Sequence, residues 1–88
     1  IPLCHPLIID KVTVEILPDK VNSRVEISSS VTCRGSTGVE MEALIAVSAS
    51  ALTIYDMCKS IDRSMTIKDI KLIKKSGGKS GNWIRNSD

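Results

Sequence analysis

The chain has 88 residues, a formal net charge of +2 and 42% hydrophobic residues. This length allows one small domain spanning residues 1–88, with no room for two hydrophobic cores. The weak net charge argues against a nucleic-acid-binding footprint, and the scarcity of aromatic residues (Tyr55, Trp83 and no Phe) argues against base stacking.

Three widely spaced cysteines, Cys4, Cys33 and Cys58, form no CxxC pair. We therefore expect neither a disulfide framework nor a metal site, and a reducing, cytoplasmic compartment. No apolar run approaches the roughly 20 residues that span a bilayer, so we expect no membrane partner. The chain starts at Ile1 without a recognisable signal peptide and is interpreted as a fragment whose front is missing.

The first half of the chain predicts a β-hairpin. Residues 1–6 contain two prolines and predict a fixed extended or turning segment. Apolar and polar residues then alternate over 10–16 and again over 24–33, as expected for two half-buried strands. The intervening residues 18–23 have the composition of a turn.

One long helix is predicted from Gly38 to about Ile61 or Asp62, a length of about 35 Å. Ser36 or Thr37 is a candidate N-cap, and the spacing to Glu40 fits a capping box. Because the middle of this helix is apolar nearly all round, we expect it to be buried.

The C-terminal part predicts a last strand over 65–67 and 70–73, kinked where the apolar alternation slips near Asp69. A basic, glycine-rich loop over 74–81 and a fraying tail over 82–88 complete the chain. The order β-β-α-β predicts an α+β fold with ferredoxin-like layers, an antiparallel sheet packed against long helices. A further helix and strand from the missing front are expected to complete it.

Charged residues at the two ends of the helix are the first candidate functional groups. Glu40 and Glu42 are two apart and diverge, so both complement the helix dipole or one of them faces a site. Asp56 and Lys59 share a face. They form either an acid–base pair with perturbed pKa values or an ordinary exposed pair worth roughly 0.3–0.5 kcal/mol.

Two further motifs remain open between a functional and a structural interpretation. His5 is restrained by Pro6. It is either an acid, a base or a hydrogen-bond donor to phosphate, or it is a loop histidine with satisfied hydrogen bonds. Residues 74–81 suit phosphate binding but also suit a flexible basic loop. They are not a P-loop, because the position of the leading glycine is Ile73 and no helix follows.

Four segments carry a resemblance to a known family: residues 1–7 (IPLCHPL), 37–44 (TGVEMEAL), 52–59 (LTIYDMCK) and 75–81 (KSGGKSG). In this order they resemble the family of molybdenum cofactor biosynthesis protein C, the cyclic pyranopterin monophosphate synthases. The resemblance covers essentially the whole chain and implies the C-terminal part of that family's ferredoxin-like domain.

The resemblance implies a lyase that converts 3′,8-cyclo-7,8-dihydro-GTP into cyclic pyranopterin monophosphate and releases pyrophosphate. It also implies no redox cofactor, a GTP-derived cyclic nucleotide triphosphate as substrate, and homodimers assembled into a hexamer with a pocket at a subunit interface. The matching residues are the catalytic pair Asp56 and Lys59 and the substrate-binding residues Leu3, Cys4, His5, Glu40, Met41, Glu42, Lys75 and Lys79.

The alternative is a non-catalytic interaction module of the same fold. In that interpretation the apolar helix lies in an oligomer interface, and its charges only specify the register of association. An RNA-binding domain suits the basic C-terminal part but not the low net charge or the missing aromatic residues.

Overall fold

A computed structural model of the chain describes residues 9–34, 38–77 and 81–86. These residues form two antiparallel two-stranded sheets, β1–β2 and β3–β4, with one helix between them along the chain. The elements are β1 (Ile9–Asp19), β2 (Arg24–Cys33), α1 (Glu40–Cys58), β3 (Lys74–Lys75) and β4 (Trp83–Ile84). The predicted α+β class is confirmed.

The predicted β-hairpin is confirmed, with β1 and β2 paired antiparallel. Asp19 pairs with Arg24, so residues 20–23 form the connecting loop. The Asp19 carboxylate closes this loop by accepting hydrogen bonds from the amides of Val21 and Asn22, at 3.1 and 3.2 Å, and from the Asn22 side chain at 2.9 Å. An aspartate that bonds the backbone two residues further on is a common way to stabilise a turn.

The helix is shorter than predicted, at 19 residues or about 28 Å. It begins at Glu40 with Val39 in the N-cap position and without a side-chain cap, while Ser36 and Thr37 lie outside the described residues. It ends at Cys58 instead of residue 61 or 62. The chain then turns more tightly, with the amides of Ile61 and Asp62 both donating to the carbonyl of Cys58 at 2.9 and 3.2 Å. After this turn the Asp62 carboxylate accepts hydrogen bonds from the amide and the hydroxyl of Ser64.

The helix packs on one side against β2, where the Ser29 hydroxyl donates a 2.6 Å hydrogen bond to the carbonyl of Ala43. The expectation that the helix is buried is wrong for the described residues. None of their hydrophobic side chains is buried, and Leu52 and Met57 are 62% and 74% exposed. A two-stranded hairpin can cover one side of a helix but cannot surround it.

By length and mean hydropathy (1.3), α1 would also be able to cross a membrane. This is weak evidence, because the core helix of a soluble protein meets the same condition. Packing against β2 and the charged residues Glu40, Glu42 and Asp56 also fit a helix of a globular domain.

The C-terminal part differs from its prediction. Residues 65–73 form no strand, and the positive φ of Asp69 (58°) interrupts the run where a kink is predicted. The strands lie further along the chain, where Lys74 pairs with Ile84 and Lys75 with Trp83. The start of the predicted loop and the start of the predicted tail therefore pair as two short strands. A strand needs a hydrogen-bonding partner, and β3 and β4 are each other's partner.

We expect Asp19→Ala to destabilise the protein at neutral pH. Hydrogen bonds from the side chain and amide of Asn22 hold the pKa of Asp19 below the ordinary value of 3.8. The stabilisation is therefore complete above the pKa of the unfolded chain and is lost as the pH falls through the lower, folded pKa. Urea unfolding midpoints of both proteins at about pH 7 and about pH 2 measure this change.

In the same experiment, Asp19→Asn keeps most of the geometry without the charge and should give an intermediate midpoint at neutral pH. An equal gap between wild type and Asp19→Ala at both pH values would contradict a role for the ionised carboxylate.

Candidate active site

The start of α1 and the C-terminal hairpin meet through an ion pair. The ammonium of Lys75, in β3, lies 3.4 Å from Oε2 of Glu40, the first residue of the helix. The Lys75 side chain is 16% exposed and that of Glu40 is 34% exposed. The fold thus brings together two predicted site residues that lie 35 positions apart in the sequence.

Glu42 is the one buried residue among those described, with 6% of its surface exposed. Its Oε2 atom has no hydrogen-bond partner among the described residues. Glu40 is about a third exposed whereas Glu42 is buried, as expected for residues two apart on a helix, and Met41 between them is 39% exposed. A buried carboxylate oxygen without a partner costs free energy, so Glu42 is the described residue that most needs a functional explanation.

At the other end of the helix, the Lys59 ammonium donates a 2.7 Å hydrogen bond to Oδ1 of Asp56. Their side chains are 43% and 72% exposed, so within this chain the geometry is that of a surface ion pair. The Tyr55 hydroxyl donates to the carbonyl of Arg63 at 3.0 Å and holds the chain that follows against the helix. Hydrogen bonds from the Ser64 hydroxyl and amide lower the pKa of nearby Asp62.

The two charged ends are not brought together within one chain. Glu42 and Asp56 are 14 positions apart on one straight helix, which places them about 21 Å apart along its axis. Four other predicted site residues lie outside the described ranges: Leu3, Cys4, His5 and Lys79.

The basic loop is closed by residues that the sequence assigns to a fraying tail. The Asn82 side chain accepts a 3.2 Å hydrogen bond from the amide of Gly77, and both Gly77 and Gly81 have positive φ. Arg85 donates through its amide to the carbonyl of Ile73 at 2.8 Å. It also donates through Nε to the preceding carbonyl at 2.7 Å, and its guanidinium lies 5.5 Å from the ring of Trp83.

The Gly81-Asn82 pair, followed by two residues of high β-propensity, is a turn-and-strand signal that could have identified this hairpin.

A cleft of about 1710 Å³ opens between β2, α1 and the segment that follows the helix. Apolar side chains of α1 line one wall. Of the predicted site residues that the structure describes, Glu40 and Lys75 line the cleft, whereas Met41, Glu42, Asp56 and Lys59 do not. Pockets for small ligands usually enclose about 300–1,000 Å³, so the cleft has the size and apolar character of an unfilled packing surface.

Within residues 9–34, 38–77 and 81–86, no three His, Cys, Asp or Glu side chains are grouped as metal ligands would be. The charged groups at the two helix ends are carboxylates and ammonium groups. Groups of these types can transfer protons, as at an Asp56–Lys59 pair, or bind charged and polar groups, as Glu40, Glu42 and Lys75 are predicted to do.

Comparison with known proteins decides the family. Residues 1–78 match the MoaC family. The chain belongs to the MoaC family. The match includes the helix and both of its charged ends, and also residues 1–8, which the structure does not describe.

Similar proteins include the cyclic pyranopterin monophosphate synthases of three bacteria. The protein of Rhodospirillum rubrum is 57% identical over 83 residues, which are 94% of this chain and 50% of that protein. The protein of Heliobacterium modesticaldum is 58% identical over 85 residues, 97% of this chain and 54% of that protein. The protein of Magnetococcus marinus is 53% identical over 87 residues, 99% of this chain and 53% of that protein.

The chain therefore spans about half the length of the MoaC relatives it matches. An open cleft and a helix covered on one side are consistent with a chain that holds part of the family's packing surfaces.

We expect Glu42→Leu to raise the free energy of unfolding by about 1–3 kcal/mol, since it removes a buried carboxylate oxygen that lacks a partner. Urea denaturation of the chain measures the change. The matched control is Glu26→Leu at an exposed carboxylate of β2, which should change stability by about 0.5 kcal/mol or less. A loss of stability in Glu42→Leu alone would show that the carboxylate holds the fold together.

Proposed function

We propose that this chain is part of a cyclic pyranopterin monophosphate synthase. The reaction converts 3′,8-cyclo-7,8-dihydro-GTP into cyclic pyranopterin monophosphate with release of pyrophosphate, an early step of molybdenum cofactor biosynthesis. The observation that carries the proposal is identity of 53–58% with proteins of that name, over nearly all of this chain. The enzyme is a lyase and needs no redox cofactor for this step.

Asp56 and Lys59 are proposed as the catalytic residues. A carboxylate and an ammonium 2.7 Å apart can exchange a proton, so one takes a proton from the substrate while the other donates one during ring opening and closure. Their exposure in the isolated chain suits groups that act on a substrate held in part by another surface.

Substrate binding is assigned to the first residues of the helix and to the lysines of the basic segment near them. Glu42 is included because its buried oxygen lacks a hydrogen-bond partner among the described residues, and a donor on the pterin-forming ring would supply one if the site opens to it. Glu40 and Met41 are proposed beside it. Lys75 and Lys79 are assigned to the triphosphate, since charge-assisted bonds to phosphate are strong.

Leu3, Cys4 and His5 are proposed to line the same pocket.

The separation of the two charged ends supports a site shared between chains. About 21 Å along one helix is too far for a compact pocket, so each end is proposed to work beside residues of a neighbouring copy. The exposed apolar side of α1 supports this arrangement, because it offers a surface for further packing. We propose a ferredoxin-like domain in dimers assembled into a hexamer in the cytoplasm.

The alternative is a non-catalytic interaction module, which the same exposed apolar surface favours. In that case the helix forms an interface, and the ion pairs at its ends define the register of the contact. A module of this kind does not explain why Glu42 is buried with an unpartnered oxygen.

The decisive experiment supplies the cyclised GTP derivative to the whole protein. We expect cyclic pyranopterin monophosphate and pyrophosphate to form in equal amounts, and mass spectrometry with a coupled pyrophosphate assay measures both. A related synthase under the same conditions is the positive control. If the relative turns over and this protein releases no pyrophosphate, the interaction module is favoured.

A second prediction concerns the proposed acid–base pair. Asp56→Asn should keep the fold and the assembly while reducing kcat by about 10²–10⁴, the usual contribution of general acid–base catalysis. The matched control, Asp62→Asn, makes the same change six positions along the chain and should retain most activity. Single-turnover assays measure the rate, and light scattering measures the assembly. Full activity in Asp56→Asn would exclude the acid–base role.

A further inference from the structure

Gly38, just before the helix, lies directly beneath the carboxylate of Glu40. A Cβ atom added to Gly38 would lie 2.5 Å from Oε1, 3.0 Å from Oε2 and 3.1 Å from Cδ of Glu40. Distances this short are not compatible with van der Waals contact. Any side chain at position 38 must therefore displace the Glu40 carboxylate.

The backbone of Gly38 gives no other reason for glycine at this position. Gly77 and Gly81 have φ angles of 76° and 71°, in the left-handed region that favours glycine, whereas Gly38 is outside that region. An alanine would fit the backbone of Gly38. What glycine provides here is space, which the Glu40 carboxylate occupies.

The position of this carboxylate matters because it is the partner of Lys75. Its Oε2 atom, one of the atoms that a Cβ would displace, lies 3.4 Å from the Lys75 ammonium. Lys75 is 16% exposed and so has limited freedom to follow a carboxylate that moves away. The contact also joins the start of α1 to the short hairpin that begins with β3.

We propose that Gly38 is a positioning residue that acts through Glu40. The space above Gly38 lets the Glu40 carboxylate fold back over the start of the helix, and this placement holds Lys75 in position. The consequence for catalysis rests on the proposed function: Gly38 sets the position of a lysine that binds the triphosphate. The contacts among Gly38, Glu40 and Lys75 do not depend on the proposed function.

The displaced group is the end of a flexible side chain, so Gly38→Ala should move the carboxylate without unfolding the protein. The Gly38→Ala, Glu40→Ala and double variants of the whole protein form a mutant cycle. Acylation of Lys75 by a small amine-reactive ester, followed by mass spectrometry, reports whether Lys75 has lost its partner. Thermal melting reports the fold.

We expect Lys75 acylation to rise several-fold in Gly38→Ala, up to about fivefold from loss of a partly exposed ion pair. Glu40→Ala should give the same rise, and the double variant no further rise, because without the Glu40 carboxylate nothing is left to displace. Glu26→Ala, which removes an exposed carboxylate of β2, is the matched control and should leave Lys75 unchanged. Unchanged acylation in Gly38→Ala, or rises that multiply in the double variant, would overturn the proposal.

Turnover of the cyclised GTP derivative adds a second readout. Gly38→Ala should raise KM for this substrate several-fold and leave kcat unchanged, because it moves a binding group and not the acid–base pair. A lower kcat with unchanged KM would overturn the positioning role in catalysis. If the wild-type protein has no turnover, the proposed function fails while the acylation cycle still decides the role of Gly38.

Discussion

The rest of the structure depends on one packing constraint: α1 carries more apolar surface than the β1–β2 hairpin can cover. Leu52 and Met57 remain largely exposed, and no hydrophobic side chain is buried among the described residues. The radius of gyration of 14.8 Å exceeds the roughly 12 Å expected of a compact chain of this length. A chain that spans about half the length of its relatives would be expected to leave such surfaces uncovered.

Because the described residues form no closed core, polar contacts determine much of the geometry around the candidate site. Ser29 connects β2 to the helix through a hydrogen bond, and the Glu40–Lys75 ion pair connects the helix start to the C-terminal hairpin. The Asn82 side chain accepts a hydrogen bond from the amide of Gly77. Each such contact contributes about 1 kcal/mol. Contacts of this size position side chains without fixing the whole fold, so substitutions among them should alter the site more than they alter global stability.

The sequence predicted the features that depend on local patterns and failed where distant residues decide. Alternating side chains gave the hairpin, and the apolar run gave the helix. The last strand was wrong because the hydrophobic pattern over 65–73 does not show whether a partner strand is available. The contact between Glu40 and Lys75 was equally unpredictable, since it depends on how the C-terminal segment returns to the helix start. The burial of Glu42 depends on tertiary packing that a local pattern does not show.

The distribution of charge differs between the two ends of the helix. Residues 68–85 carry five lysines, one arginine and one aspartate, whereas the whole chain has a net charge of +2. This excess of positive charge reaches the helix start through Lys75. At the other end, Asp56 and Lys59 neutralise each other. Lys75 is likewise paired with Glu40, so the proposed triphosphate would be attracted by the other basic residues of this segment. For the proposed reaction, the Asp56–Lys59 pair must then act on a substrate bound to the basic segment of a neighbouring copy.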